Sequence, residues 1–147
     1  MKADEWYATA TKHTDAFSRF YFLWLSFNNL YASYYHRDER RAIQNLLDNE
    51  LDEKQSVSII TNSRNQIKTL TDRPVLDMRD GLDRTSIFVH SFNNARSYKS
   101  KIKELFMIIY QVRCNLFHGQ KSPSRQRDQQ LCEASAHFVE LLLEELI

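Results

Sequence analysis

Apolar positions recur along this chain at three- and four-residue spacings for most of its length, the pattern of helices that bury one face. Residues 4–35 read as one long helix, possibly bent, with Phe17, Phe20, Tyr21, Trp24, Asn28, Tyr31 and Tyr35 on one stripe. "RDERRAIQNLLDNEL" gives a shorter helix that turns Ile43, Leu46 and Leu47 inward. "QSVSIITNSRNQIKTL" gives another, with Ile59, Ile60, Ile67 and Leu70 apolar, although its Ser, Thr and Asn residues weaken its helix propensity. In "YKSKIKELFMIIYQVRCNLFHG" the periodicity is strongest, placing Ile102, Leu105, Phe106, Ile109, Val112 and Leu116 on one face, and Gly119 suits the helix end. "RDQQLCEASAHFVELLLEELI" is a last helix, with Leu131, Ala134, Phe138, Leu141, Leu142 and Leu146 inward.

Between these runs the clearest break is "TDRPVLDMRDGLDR", residues 71–84. Pro74 disfavours helix at Arg73, and Asp80-Gly81 is a turn signal. "TSIFVHSFNNA" after it suits a short helix, and "QKSPSRQ" is a loop. No repeat, low-complexity segment or internal boundary interrupts the pattern. The expectation is a single all-α domain over residues 1–147, an antiparallel bundle of four to five helices.

Composition agrees with that reading. The 147 residues suit one core, and two glycines and two prolines are too few for the tight turns of a sandwich or barrel. Two cysteines, Cys114 and Cys132, make no disulfide framework. The longest apolar run, "FYFLWLSFNNLY", is shorter than the roughly 20 residues of a membrane span and is interrupted by Asn28 and Asn29. The opening "MKADEWYATATKH" lacks the apolar core of a signal peptide. A cytoplasmic protein with reduced thiols and no membrane segment is expected.

The net charge of +1 hides an asymmetry. From Arg96 to Arg127 the chain carries eight basic residues and one acid, Glu104, whereas residues 128–147 carry five acids and no Lys or Arg. Such a segment can attract polyanions, or it can be a solvated face neutralised by the acidic tail. Two local patterns carry little. "MRDGLDRT" is like a cysteine-phosphatase loop with Met78 where the thiolate must stand, and Asp77, Asp80 and Asp83 lack calcium-loop spacing, so they read as solvated turn carboxylates. Cys114 and His118 lie four apart but have no paired motif to complete a zinc site, so neither metal nor cofactor is expected.

The pattern fails to absorb one residue. On a regular helix Arg113 falls about 20° from Ile102, in or beside the apolar seam. A buried guanidinium needs an acid partner, an interface or an anion. His118 lies about 7.5 Å further along and about 140° around, so the two side chains are not neighbours on a straight helix. They converge only if the helix unwinds near Gly119 or if a second subunit completes the site. Histidine titrates near neutrality and can move the proton of a ribose 2′-hydroxyl or a leaving 5′-oxygen, while a fixed guanidinium stabilises phosphate charge. Together they suit metal-free phosphodiester cleavage, with a symmetric dimer supplying both proton-transfer roles. A purely structural alternative pairs Arg113 with Glu133 or Glu140 on the last helix and leaves His118 as a helix cap.

"IYQVRCNLFHGQKSP" followed by "RDQQLCEASAHFVELLLEEL", with "RFYFLWLSFNNLYASY" upstream, resembles the HEPN superfamily, whose hallmark is Arg, four to six residues, then His before a final helix. The resemblance covers the first helix and roughly residues 100–146. It implies a bundle of four or five helices that dimerises, and a metal-independent endoribonuclease of a toxin–antitoxin, phage-defence or RNA-processing system. Cleavage in that family leaves a 2′,3′-cyclic phosphate and a 5′-hydroxyl. Arg113 and His118 match the catalytic pair, with Asn115, Lys121 and Arg125 as supporting RNA-binding residues. RNA, a second copy of the chain, and an antitoxin or nucleotidyltransferase are the partners implied. Two positions depart from the family: Cys114 follows the arginine where Asn, Asp or His is common, and Gln120 replaces the tyrosine that partner nucleotidyltransferases modify. The family also includes non-catalytic modules for RNA binding or dimerisation.

Overall fold

A computed structural model describes residues 2–34, 37–118 and 125–147. The class is all-α. Among the described residues there are eight α-helices: α1 (Lys2–Ala10), α2 (Ala16–Tyr31), α3 (Glu39–Glu50), α4 (Glu53–Thr61), α5 (Arg64–Thr71), α6 (Ser86–Asn94), α7 (Tyr98–Phe117) and α8 (Gln126–Leu146). A short 3₁₀ turn, Ala32–Tyr34, extends α2, and two-residue strands β1 (Leu76–Asp77) and β2 (Leu82–Asp83) form an antiparallel hairpin.

The helix number exceeds the expected four to five because two long runs are each broken by a polar cap. The first run stops at Ala10, and Asp15 restarts it, its carboxylate accepting the Ser18 N–H at 2.9 Å. An aspartate there satisfies a donor that the new helix would otherwise leave open. Ser26 of α2 then donates to the Ala3 carbonyl at 2.6 Å and fastens α1 against α2. The third run divides at Asn62-Ser63. Ser63 is buried, donates to the Ile59 carbonyl at 2.6 Å, and lies 2.8 Å from His137 Nε2 on α8. Asp52 opens α4 with a reciprocal capping box to Gln55, an Asp-x-x-Gln signal visible in the chain.

α7 is the axis of the core. It packs on α3, α4, α5, α6 and α8. Every residue from Leu105 to Val112 is buried, so two turns are enclosed on all sides instead of on the single face that the periodicity suggests. α2 supplies the aromatic half of the core, with Phe20, Trp24, Phe27 and Tyr31 nearly inaccessible. Trp24 meets Phe27 edge-on at 5.2 Å, and Phe27 meets Tyr31 likewise at 5.0 Å. The expected stripe is shifted: Tyr21 and Asn28 face solvent, and Leu23 and Phe27 are inside. Tyr35 lies outside the described residues. Among the described residues no helix is long and apolar enough to cross a membrane.

The hairpin is held by buried polar bonds. Gly81 turns it with φ +73°, a conformation that side chains resist. At its base the Thr85 hydroxyl accepts the Val75 N–H at 2.9 Å. Asp77 is not the solvated turn carboxylate its sequence context suggested. Its side chain is 1% exposed and accepts from Arg79 N–H, Nε and Nη2 and from Arg84 Nε at 2.9–3.1 Å. The bonds from Arg79, with those from Arg84, hold the Asp77 carboxyl well below the usual carboxylate range against the opposing effect of burial.

Candidate functional site

α7 carries Arg113 out of the core near its C-terminal end. The helical register puts Tyr110 and Phe117 three residues before and four after it, on the same face. The guanidinium carbon lies 4.5 Å from the Phe117 ring centre and 5.5 Å from that of Tyr110. Trp24 of α2 adds a third ring at 6.0 Å. The acid partner is Glu39, in the first turn of α3, with Oε1 3.4 Å from Arg113 Nη2. Neither Glu133 nor Glu140 plays that part: Glu140 is paired with Arg19 of α2, and Glu133 is exposed. Tyr31 donates to Glu39 Oε1 at 2.5 Å and Tyr110 to Oε2 at 3.0 Å. Burial pushes both phenol pKa values up, and the Glu39 carboxylate adds to the effect at each. For Arg113 burial works the other way, and the Glu39 charge outweighs it to leave the guanidinium pKa raised.

The guanidinium is fixed in place, yet its hydrogen bonds are incomplete. Nε is buried with no partner among the described residues. Nη1 reaches only the Cys114 sulfur at 3.9 Å. The Glu39 contact is an ion pair longer than a normal hydrogen bond. The arginine side chain is 20% exposed. Rings therefore set its orientation more than donors do.

His118 is the C-cap residue of α7, and its N–H returns to the Cys114 carbonyl at 3.1 Å. The helix stays regular through Phe117, so it does not unwind to bring the imidazole round to Arg113. His118 is exposed, and among the described residues its ring has no hydrogen-bond or ion-pair partner. Arg113 and His118 thus lie at one end of α7 without touching. Gly119 and Gln120 lie outside the described residues.

The supporting residues separate. Asn115 is buried and belongs to the hairpin: its Nδ2 donates to the Leu76 carbonyl at 2.9 Å, and its Oδ1 accepts from Met78 N–H and Gln111 Nε2, each at 3.1 Å. Both ends of the amide are engaged, which makes Asn115 a fastener between α7 and the hairpin in place of the substrate contact expected of it. Lys121 lies outside the described residues. Arg125 is exposed just before α8, with Nη1 3.9 Å from Asp128 Oδ2. Among the described residues no group of three His, Cys, Asp or Glu side chains is placed to hold a metal ion.

The basic segment is neutralised from a different side than the acidic tail. Lys103 pairs with Asp48 at 3.0 Å, and Arg127 Nη1 is 3.7 Å from Asp72. The Glu53 carboxylate accepts the Tyr98 and Lys99 N–H groups, where the dipole of α7 favours an anion. Glu39, Tyr31 and Tyr110 were missed as a group by sequence reasoning. Each carries a local role in its own helix, and only the packing of α2, α3 and α7 joins them.

Comparison of the chain with protein-family models, with curated proteins and with solved structures finds no match.

Proposed function

We propose that the chain is a metal-independent endoribonuclease of the HEPN type, acting through Arg113 and His118 at a homodimer interface. The observation that carries this reading is the state of Arg113: three rings and Glu39 hold the guanidinium still, while its Nε has no partner among the described residues and its Nη groups make only long contacts. Such a group can take up phosphate oxygens with little reordering. His118, at the end of the same helix, supplies the titratable partner. Five helical positions separate them, so a site that uses both is completed by a second subunit facing the first. A toxin–antitoxin or defence setting in the cytoplasm, with RNA as substrate, fits this chemistry.

The test is cleavage of single-stranded RNA by purified protein in EDTA. The expected products carry 2′,3′-cyclic phosphate and 5′-hydroxyl ends. Activity that disappears in EDTA and returns with magnesium contradicts the proposal. The Glu39 clasp favours a second reading, a non-catalytic helical module that binds RNA or dimerises with Arg113 as a structural cation. That reading expects RNA binding without cleavage on any substrate.

A further inference from the structure

Beside the hairpin is a feature that the Arg113 cluster does not use. A cavity of about 460 Å³ opens between the segment leading into β1 and the first turns of α8. Its floor is apolar, formed by Val75, Leu76, Met78 and Leu131. Its rim holds Arg73, Arg125 and Arg127 against one carboxylate, Asp128. The three arginines are differently employed. Arg127 is built in, donating to the Thr69 carbonyl at 2.9 Å and the Arg73 carbonyl at 3.1 Å. Arg125 reaches Asp128 only at 3.9 Å, and its side chain is 55% exposed. Arg73 is exposed, and among the described residues its side chain makes no hydrogen bond or ion pair.

Like charges facing one another over an apolar floor are an unfavourable arrangement that an anion relieves. The effect is visible at Arg127, whose pKa is pushed down by burial and further by the Arg73 charge. The ligand that fits must therefore be anionic at its edges and flat and apolar at its centre. The cavity also adjoins the candidate site. Two floor residues, Leu76 and Met78, hang on Asn115 of α7. Asn115 is three positions before His118, about 4.5 Å of helical rise.

We infer that this cavity is a nucleotide subsite for single-stranded RNA. One unstacked base lies on the Val75–Leu76–Met78–Leu131 floor, and the phosphates flanking it meet Arg73 and Arg125. Duplex RNA cannot offer a splayed base, and free phosphate cannot use the floor. The identity of the polymer rests on the ribonuclease reading, whereas the cavity and its charges do not.

The experiment is fluorescence anisotropy of a labelled single-stranded oligoribonucleotide, in a His118→Ala background so that cleavage does not intervene. Both substitutions, Arg73→Gln and Arg125→Gln, alter exposed side chains, and thermal melting verifies that the fold is kept. Together they should weaken binding and flatten the slope of log affinity against log salt by about 1.4, at about 0.7 for each single-strand phosphate that is no longer neutralised. A nucleoside monophosphate should compete better than inorganic phosphate or duplex RNA at equal concentration. Unchanged affinity and slope in the double variant overturn the subsite, as does equal competition by inorganic phosphate. If the unmutated protein cleaves RNA and the double variant binds as before, the subsite falls and the nuclease reading stands. If the protein never cleaves but binding depends on both arginines, the subsite stands and the nuclease reading falls.

Discussion

Around Asp77, two arginines close on a buried carboxylate with four bonds of 2.9–3.1 Å. Around Arg113, a single carboxylate stands 3.4 Å from a guanidinium that three rings flank and whose Nε is unpaired among the described residues. Both are charges withdrawn from water, and only the first is saturated. A saturated cluster holds a shape and has nothing left to offer a ligand. A guanidinium oriented by ring faces keeps donors that an incoming anion can take. The two clusters are bridged by α7: Asn115 carries the hairpin, and Arg113, two residues earlier, points into the α2–α3 junction.

The difference can be broken first at Arg113. Arg113→Lys keeps the charge but loses the planar fork, and initial rates of RNA cleavage in EDTA should fall by roughly 10²–10³-fold, the scale of losing one transition-state donor. Retained rates would make Arg113 a structural cation like Arg79. At the hairpin the same kind of change should act on stability. Asp77→Asn should lower unfolding free energy by about 1–3 kcal/mol in a denaturant titration, since it weakens bonds to a side chain only 1% exposed. Cleavage per folded molecule should not change.

Acid should separate the clusters in the same direction. Arg79's bonds hold Asp77 below the ordinary carboxylate range, the Leu82 N–H and then Arg84 do so for Asp80, and Ser86 does so for Asp83. A carboxyl whose folded pKa is depressed contributes stability that is complete above the unfolded value, about 4, and is lost as pH falls through the folded value. Melting temperature should therefore decline below about pH 4, and less steeply in Asp77→Asn. The smallest effect belongs to Glu39→Gln. The amide still accepts from the two tyrosines, so unfolding free energy should fall by about 0.5–1.5 kcal/mol, and cleavage by under about tenfold if Glu39 only positions Arg113. A collapse of the fold would instead mark Glu39 as the centre of a structural ion cluster.

Much of this is legible in the chain, and the illegible part has a common cause. The cores of α3, α7 and α8 follow from the spacing of Ile43, Leu46 and Leu47, of Ile102 to Val112, and of Leu131 to Leu142. The caps at Asp15 and Ser63 escape notice because apolar periodicity continues on both sides of them. Asp77 misleads because its local sequence is a turn, while its burial comes from Thr85 closing the hairpin and Asn115 anchoring it to α7. At the candidate site Arg113 is identifiable as a charge on an apolar face. Its partner is not, because Glu39 belongs to a helix whose own pattern accounts for it without remainder. Asn115 stands between Arg113 and His118 in the sequence but faces the hairpin, since neighbours on a helix point about 100° or more apart.

His118 gives the most direct test, because it is exposed and no described residue depends on its ring. Cleavage of single-stranded RNA in EDTA should be compared between His118→Ala and the unmutated protein, with both thermal midpoints recorded. A composite Arg113–His118 site predicts a loss of about 10²–10⁴-fold in rate with the midpoint unchanged. Equal cleavage by the two proteins, or no cleavage by the unmutated one on any RNA, would contradict it.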